Sequence, residues 1–183
     1  MRIIAGKYRG RKLVSFQAGH IRPTTDRVKE SLFNKIAPYI EGARVLDLFA
    51  GTGNLGIEAL SRGAAEVVFV EKSGRSLQIL KKNLTTLGIN EDVKVVKDDV
   101  FKFVKKWDGA PFDVVLADPP FTEKIAHPVM EILAQFPLVT PEGLIVIESS
   151  HQEPIGENYP PYNFLDRRSF GDKNVSFFSM PEK

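Results

Sequence analysis

Five short apolar runs recur between residues 43 and 149, and each is followed by a segment whose apolar residues fall at three- and four-residue spacing. The runs are "ARVLDLF" (43–49), "AEVVFVE" (65–71), "EDVKVVK" (91–97), "FDVVLAD" (112–118) and "GLIVIES" (143–149). They are rich in Val, Ile, Leu and Phe, which favour strands. The intervening segments are "NLGIEALSRG", "GRSLQILKKNLTTLG", "DVFKFVKKWDG" and "EKIAHPVMEILAQF". Leu77, Leu80, Leu84 and Leu87 line one helical face, and several segments close on glycine as helices do. Pro128 sits where it could start or kink the fourth helix. Parallel neighbours need crossover connections, so this alternation predicts a mostly parallel sheet with helices on both faces.

The two ends of the chain depart from that pattern. "YNFLDRRSFGDKNVSFFSM" (162–180) reads as two strands around a Gly171-Asp172 turn, an antiparallel hairpin closing the sheet. "RIIAGKYRGRKLVS" (2–15) reads as a small hairpin, with Gly6 and Gly10 bracketing a Lys7-Tyr8-Arg9 tip. The helix predicted after it, within 22–40, carries a threonine N-cap signal and apolar Val28, Leu32, Phe33 and Ile36. These features predict one domain: a basic hairpin arm over 1–21 that belongs to the body over 22–183.

Charge is uneven. Residues 1–44 hold ten Lys or Arg against three acids, a net +7, which leaves −5 for the remainder of a chain whose total is +2. A basic arm on an acidic body points to a polyanionic partner, nucleic acid first. There are no cysteines among the 183 residues, which excludes disulfides, cysteine-ligated zinc and any thiolate nucleophile. His20, His127 and His151 lack metal-ligand spacing, so no metal is expected. With neither a signal-like apolar segment nor a run approaching the roughly 20 apolar residues that a bilayer requires, a soluble cytoplasmic protein away from membranes is expected, and a monomer.

The first strand-to-helix loop carries the cofactor signal. Gly51, Gly53 and Gly56 satisfy G-x-G-x-x-G, the dinucleotide fingerprint, in a place where open parallel sheets bind ligands. Asp47 stands four residues ahead of Gly51. A carboxylate there would repel a pyrophosphate but favour the ammonium and sulfonium of S-adenosylmethionine (AdoMet), which has no phosphate. Glu71, twenty residues after Gly51 at the end of the second run, could accept both hydroxyls of a ribose. Asp99, at the end of the third, could accept from an adenine amino group, although one of Asp98 and Asp99 is also expected to cap the following helix. Together these residues favour AdoMet over NAD, and Gly56 reads as a helix-packing glycine.

The fourth run ends in Asp118-Pro119-Pro120-Phe121. Two prolines fix the backbone so that the Asp118 side chain and the Pro119 carbonyl face one small volume. Both are acceptors, suited to holding the two N–H groups of an exocyclic base amine for direct methyl transfer without a covalent intermediate. Phe121 offers a face on which a flipped base can stack. Such a reaction rests on positioning and on stabilising charge at nitrogen.

Taken together, D-P-P-F, "DLFAGTGNLGIEALSRGA", "RPTTDRVKESLFN" and the opening "MRIIAGKYRGRKL" resemble the RsmD-type bacterial enzymes over nearly the whole chain. These are the 16S rRNA (guanine(966)-N(2))-methyltransferases. The resemblance implies a Rossmann-like class I AdoMet-dependent methyltransferase with a seven-stranded sheet. It implies methylation of the exocyclic N2 of a guanine in 16S ribosomal RNA or an assembling 30S subunit. By position it assigns AdoMet to Asp47, Ala50, Gly51, Gly53, Glu71 and Asp99, and the target base to Asp118, Pro119, Pro120 and Phe121. It makes Arg22 and Thr24 candidates for shaping the site, with a plain helix cap by Thr24 or Thr25 as the alternative. Lys7, Tyr8, Arg9, Arg11 and Lys12 become an RNA-gripping arm. D-P-P-F also occurs in adenine-N6 and cytosine-N4 DNA methyltransferases, and related motifs serve glutamine methyltransferases. These, an NAD-dependent oxidoreductase and a non-catalytic RNA-binding protein are the competing readings.

Overall fold

The computed structural model describes residues 1–16, 25–90, 92–153 and 155–182. Each apolar run forms a strand: β1 (Arg44–Leu48), β2 (Glu66–Glu71), β3 (Val93–Lys97), β4 (Phe112–Ala117) and β5 (Val139–Ser150). The tail supplies β6 (Asn163–Phe170) and β7 (Lys173–Ser179) around the expected Gly171-Asp172 turn. One sheet of seven strands results, in the order β3-β2-β1-β4-β5-β7-β6. The first five strands run parallel and β7 is antiparallel to both β5 and β6.

The helices are α1 (Asp26–Ile36), α2 (Asn54–Ser61), α3 (Gly74–Leu87), α4 (Val100–Lys106) and α5 (Ala126–Gln135). Alternate strand residues point to opposite faces, and the core divides accordingly. Val45, Val67, Phe69, Val114 and Leu116 pack with α1, α2 and α3, while Leu46, Val68, Val115 and Ile145 pack with α4 and α5. Thr25 caps α1, its side chain accepting from the Val28 N–H. Pro128 falls in the first turn of α5, where its missing N–H has no intrahelical partner to lose. β5 is longer than the apolar run because Phe112 already pairs with Val139; the ladder then skips to Val114 and Leu144.

The N-terminal hairpin is reduced to a single bridge, Arg2 with Lys12. Backbone bonds such as Ile3 N–H to Arg11 O at 2.9 Å and Leu13 N–H to Met1 O at 3.0 Å close it, and side chains of the body fasten it further. Ile4 and Ala5 donate their N–H groups to the Glu58 carboxylate at 2.9 and 3.1 Å, and Tyr8 N–H donates to Ser61 Oγ at 3.0 Å. Further along, Val14 exchanges two hydrogen bonds with the buried Asn83 side chain on α3. Ile3 and Leu13 lie in the same core cluster as α1, α2 and α3. Among the described residues, no helix is long and apolar enough to cross a membrane.

Candidate active site

The register of the sheet sets the site. Leu48 pairs with Val70 on one side and Ala117 on the other, so β1, β2 and β4 end level with one another. Ala117 pairs in turn with Ile147, which puts Asp118 and Glu148 side by side. Beyond these strand ends lies a cavity of about 580 Å³, a size suited to a nucleoside-like ligand together with a base. Ala50, Gly51, Glu71 and Asp99 line it from the β1, β2 and β3 side, and Asp118, Pro119, Pro120 and Phe121 from the β4 side. Eight of the ten expected cofactor and base residues therefore share one chamber.

Glu71 is set at the end of β2 by two backbone donors, Gly51 N–H at 2.9 Å and Ser73 N–H at 2.8 Å, one to each carboxylate oxygen. Each oxygen keeps a second lone pair, so the carboxylate can still accept two ribose hydroxyls. Asp99 has two roles. Its Oδ1 accepts from Lys102 N–H at 3.1 Å as the cap of α4, while the residue lines the cavity. Asp98 is the neighbour whose carboxylate turns to the Asp99 N–H. Phe121 is 48% exposed at the cavity, an open aromatic face beside two prolines.

Asp47 and Gly53 require correction, because neither lines the cavity. Asp47 is 1% exposed beneath the loop, and its Oδ2 accepts from Gly56 N–H at 2.8 Å. Burial pushes its carboxyl up to about 8, against the lowering effect of that hydrogen bond, so at neutral pH it is largely uncharged. It therefore does not present the anionic charge that was expected to sort AdoMet from a pyrophosphate. Its work is to tie α2 to β1. Gly53 is a packing glycine at the start of α2, where a Cβ would lie 2.4 Å from Leu80 Cδ1 and 2.8 Å from Ile57 Cδ1.

Gly56 packs as expected: a Cβ would stand 2.3 Å from Phe69 Cε1 and 2.9 Å from Asp47 Oδ2. Alanine is the better helix former by up to about 1 kcal/mol. Overpacking against a strand costs about 1–3 kcal/mol and outweighs that gain. Gly56→Ala should thus lower the thermal midpoint in a melt and weaken cofactor binding by displacing the loop.

The cations of the arm and Tyr8 do not line the cavity. The tip around Lys7, Tyr8 and Arg9 is fastened at Ser61, the far end of α2, which is about 12 Å from the glycine loop at 1.5 Å per residue. Lys7, Arg9, Arg11 and Lys12 are exposed. Tyr8 is half-buried against the core, with the Lys7 ammonium 5.3 Å from its ring centroid, so its ring is not an open stacking face. Arg22 and Thr24 lie outside the described residues, as does His20.

Several cavity residues carried no assignment from the sequence. Phe49 has a left-handed backbone (φ 61°), a conformation that costs energy for a bulky side chain, and it lines the cavity. Ser15 and Phe16, beyond the hairpin of the arm, form part of the wall, and the Arg75 guanidinium lies 4.7 Å from the Phe16 ring. Glu148 and Lys173 complete it from β5 and β7. The available signal was a glutamate inside the apolar run "GLIVIES", a residue rarely buried without a purpose.

The family described as conserved hypothetical protein 95 matches residues 1–179. "Ribosomal RNA small subunit methyltransferase D" of Haemophilus influenzae is 43% identical over 157 residues, covering 85% of this chain and 81% of the relative. A candidate rRNA methyltransferase of Bacillus subtilis, YlbH, is 35% identical and covers 97% and 98% of the two chains. A solved structure of the candidate methyltransferase yhhF from Escherichia coli is 33% identical and superposes with a TM-score of 0.87, covering 100% of this chain and 99% of the other. Match along nearly the whole length, together with a cavity lined by D-P-P-F, establishes that the chain belongs to the conserved hypothetical protein 95 family, the RsmD-type methyltransferases that its motifs resemble.

Proposed function

We propose that this protein is an AdoMet-dependent methyltransferase that acts on the exocyclic N2 of a guanine in small-subunit ribosomal RNA. The observation that carries the reading is the shared chamber: Glu71 and Asp99 on one wall, Asp118-Pro119-Pro120-Phe121 on the other. The small-subunit rRNA methyltransferase name of the Haemophilus relative supports the substrate class, and the RsmD resemblance supports the base.

The cavity chemistry fits the cofactor. Carboxylates at the ends of β2 and β3 suit a ribose and an adenine amine, and the loop after β1, beside Glu71, offers close backbone at Ala50 and Gly51. AdoMet, when bound, supplies an activated methyl group. The chain's own residues orient the acceptor. The Asp118 carboxylate and the Pro119 carbonyl take the N–H groups of the amine and turn its lone pair inward, and Phe121 holds the base plane. The exposed cations Lys7, Arg9, Arg11 and Lys12 grip phosphates about one short helix away from the reacting base. In this reading the arm over 1–21 and the body over 22–183 work as one domain, supported by the packing of Ile3 and Leu13 on α1–α3.

Incubation of the protein with labelled AdoMet and 16S RNA, or 30S particles lacking the modification, should place label in N2-methylguanosine. Label in N6-methyladenosine, in protein, or in neither would overturn the proposal. Phe121→Ala should lower kcat/KM for RNA by roughly 5- to 150-fold, matching about 1–3 kcal/mol of stacking per base, with AdoMet affinity measured by calorimetry held within twofold.

A further inference from the structure

Behind Asp118 the cavity wall contains a charged cluster that the methyl-transfer reading does not use. Glu148, on β5, is 2% exposed. Its Oε2 receives a hydrogen bond from Lys173 Nζ, and its Oε1 is buried with no hydrogen-bond partner. The same Lys173 ammonium, on β7, stands 3.6 Å from Asp118 Oδ1. One lysine therefore bridges two carboxyl groups brought side by side by the β4–β5 register.

Such an arrangement is expensive. A buried ion pair is often replaceable by apolar residues at no loss of stability, and a buried carboxyl oxygen without a donor costs further free energy. Its location supplies the compensation, because all three groups line the chamber where the target amine must bind. We propose that Lys173 and Glu148 are positioning residues that clamp the Asp118 carboxylate, holding one of its oxygens toward the methyl-accepting amine. The inference rests on the methyltransferase reading given above.

Burial and the contacts within the cluster set its electrostatics. Burial, reinforced by the neighbouring Asp118, pushes the Glu148 carboxyl up to about 8 despite Lys173. Burial works against the charge on Lys173, but Asp118 and Glu148 outweigh it and raise the ammonium above its usual range. The groups facing Glu148 are Asp118 from β4 and Lys173 from β7, with buried Asp47 on β1 as a weaker neighbour. At neutral pH this leaves a largely uncharged Glu148 beside a cationic Lys173. As pH rises through about 8, Glu148 ionises, competes for Lys173 and repels Asp118.

The test is the pH dependence of single-turnover methyl transfer to 30S particles by the full chain, with AdoMet affinity and thermal midpoint measured beside it. Lys173→Met should lower the rate at least tenfold with AdoMet affinity within twofold, because the Asp118 carboxylate loses the ammonium that holds it. Lys173→Arg should recover much of the rate. Glu148→Gln, which keeps shape but cannot ionise, should abolish the fall in rate that the unaltered protein shows above about pH 8. A Lys173→Met protein with an unaltered rate, or a Glu148→Gln profile that superposes on the parent's, would overturn the clamp. If Lys173→Met fails to fold, the Glu148→Gln profile and the Lys173→Arg rate decide the matter. A parent protein that transfers no methyl group to RNA would instead overturn the functional proposal.

Discussion

Asp118→Ala is expected to lower the rate of methyl transfer to RNA by about 10²- to 10³-fold, the scale seen when one preorganised electrostatic group is removed from an active site. In the proposed arrangement the carboxylate is one of the two acceptors for the amine, and alanine leaves the amine held by the Pro119 carbonyl alone. Affinity for AdoMet should change little, because Glu71, Gly51 and Asp99 occupy the opposite wall. The separation is the informative part. Calorimetry should give an AdoMet affinity near that of the parent while labelled methyl fails to reach guanosine. Asp118→Ala with full activity would mean that the amine binds elsewhere. Asp118→Asn should be intermediate, since the amide retains one acceptor oxygen but loses the charge that attracts Lys173.

The second large effect lies on the far side of the sheet from α4 and α5, at Glu58. This carboxylate is fully buried and receives four donors: Ile4 N–H at 2.9 Å, Ala5 N–H at 3.1 Å, Arg62 Nε at 2.9 Å and Lys29 Nζ at 3.2 Å. Lys29 is itself 1% exposed, and its ammonium also donates to Arg2 O and Asn54 Oδ1. Burial lowers the Lys29 ammonium below its usual range even with Glu58 beside it. Glu58→Ala removes the counter-charge of the buried Lys29 ammonium and takes away the acceptor of two arm N–H groups. Breaking a buried pair in this way costs about 3–5 kcal/mol. For a chain of this size that is roughly a 10 °C drop in thermal midpoint. The arm should loosen first, so limited proteolysis ought to cut near Ala5 to Arg9 before the body unfolds. Converting both partners to apolar residues, Lys29→Met with Glu58→Leu, should recover part of the midpoint without restoring the arm, since the Ile4 and Ala5 donors stay unpaired.

The alternation of apolar runs and helical segments was readable because burial on both faces of a parallel strand demands continuous Val, Ile, Leu and Phe. Every strand from β1 to β5 falls on such a run. The ends of the ladder were less readable: Val139 joins β5 through a skipped register, which depends on its partner Phe112 and not on local pattern. Glu71, Asp99 and the D-P-P-F residues were legible because they stand at strand ends, where topology alone sends side chains toward the ligand side. Asp47 was conspicuous for the opposite reason. It lies within the strand, on the face covered by α2, so its neighbour is the Gly56 N–H and its charge is suppressed. Nearness in sequence to a glycine loop says nothing about which side of the strand a carboxylate takes.

The arm shows the same limit. Its cations were evident from charge, but Tyr8 looked like a stacking residue until the fold placed it against the core. Lys29 and Glu58 carried no assignment from the sequence, and only the packing of the arm over α2 makes them a buried pair.

By itself, then, the order of residues determined the layers, the parallel core of the sheet and the strand-end residues that line the cavity, since these follow from periodicity and chain connectivity. Tertiary structure alone decided the rest: that Asp47 is a strut beneath the loop, and that Glu148 and Lys173, from strands far apart from D-P-P-F in the chain, stand behind Asp118. Register between non-adjacent strands brings those groups together, and the exclusion of water there sets their charges.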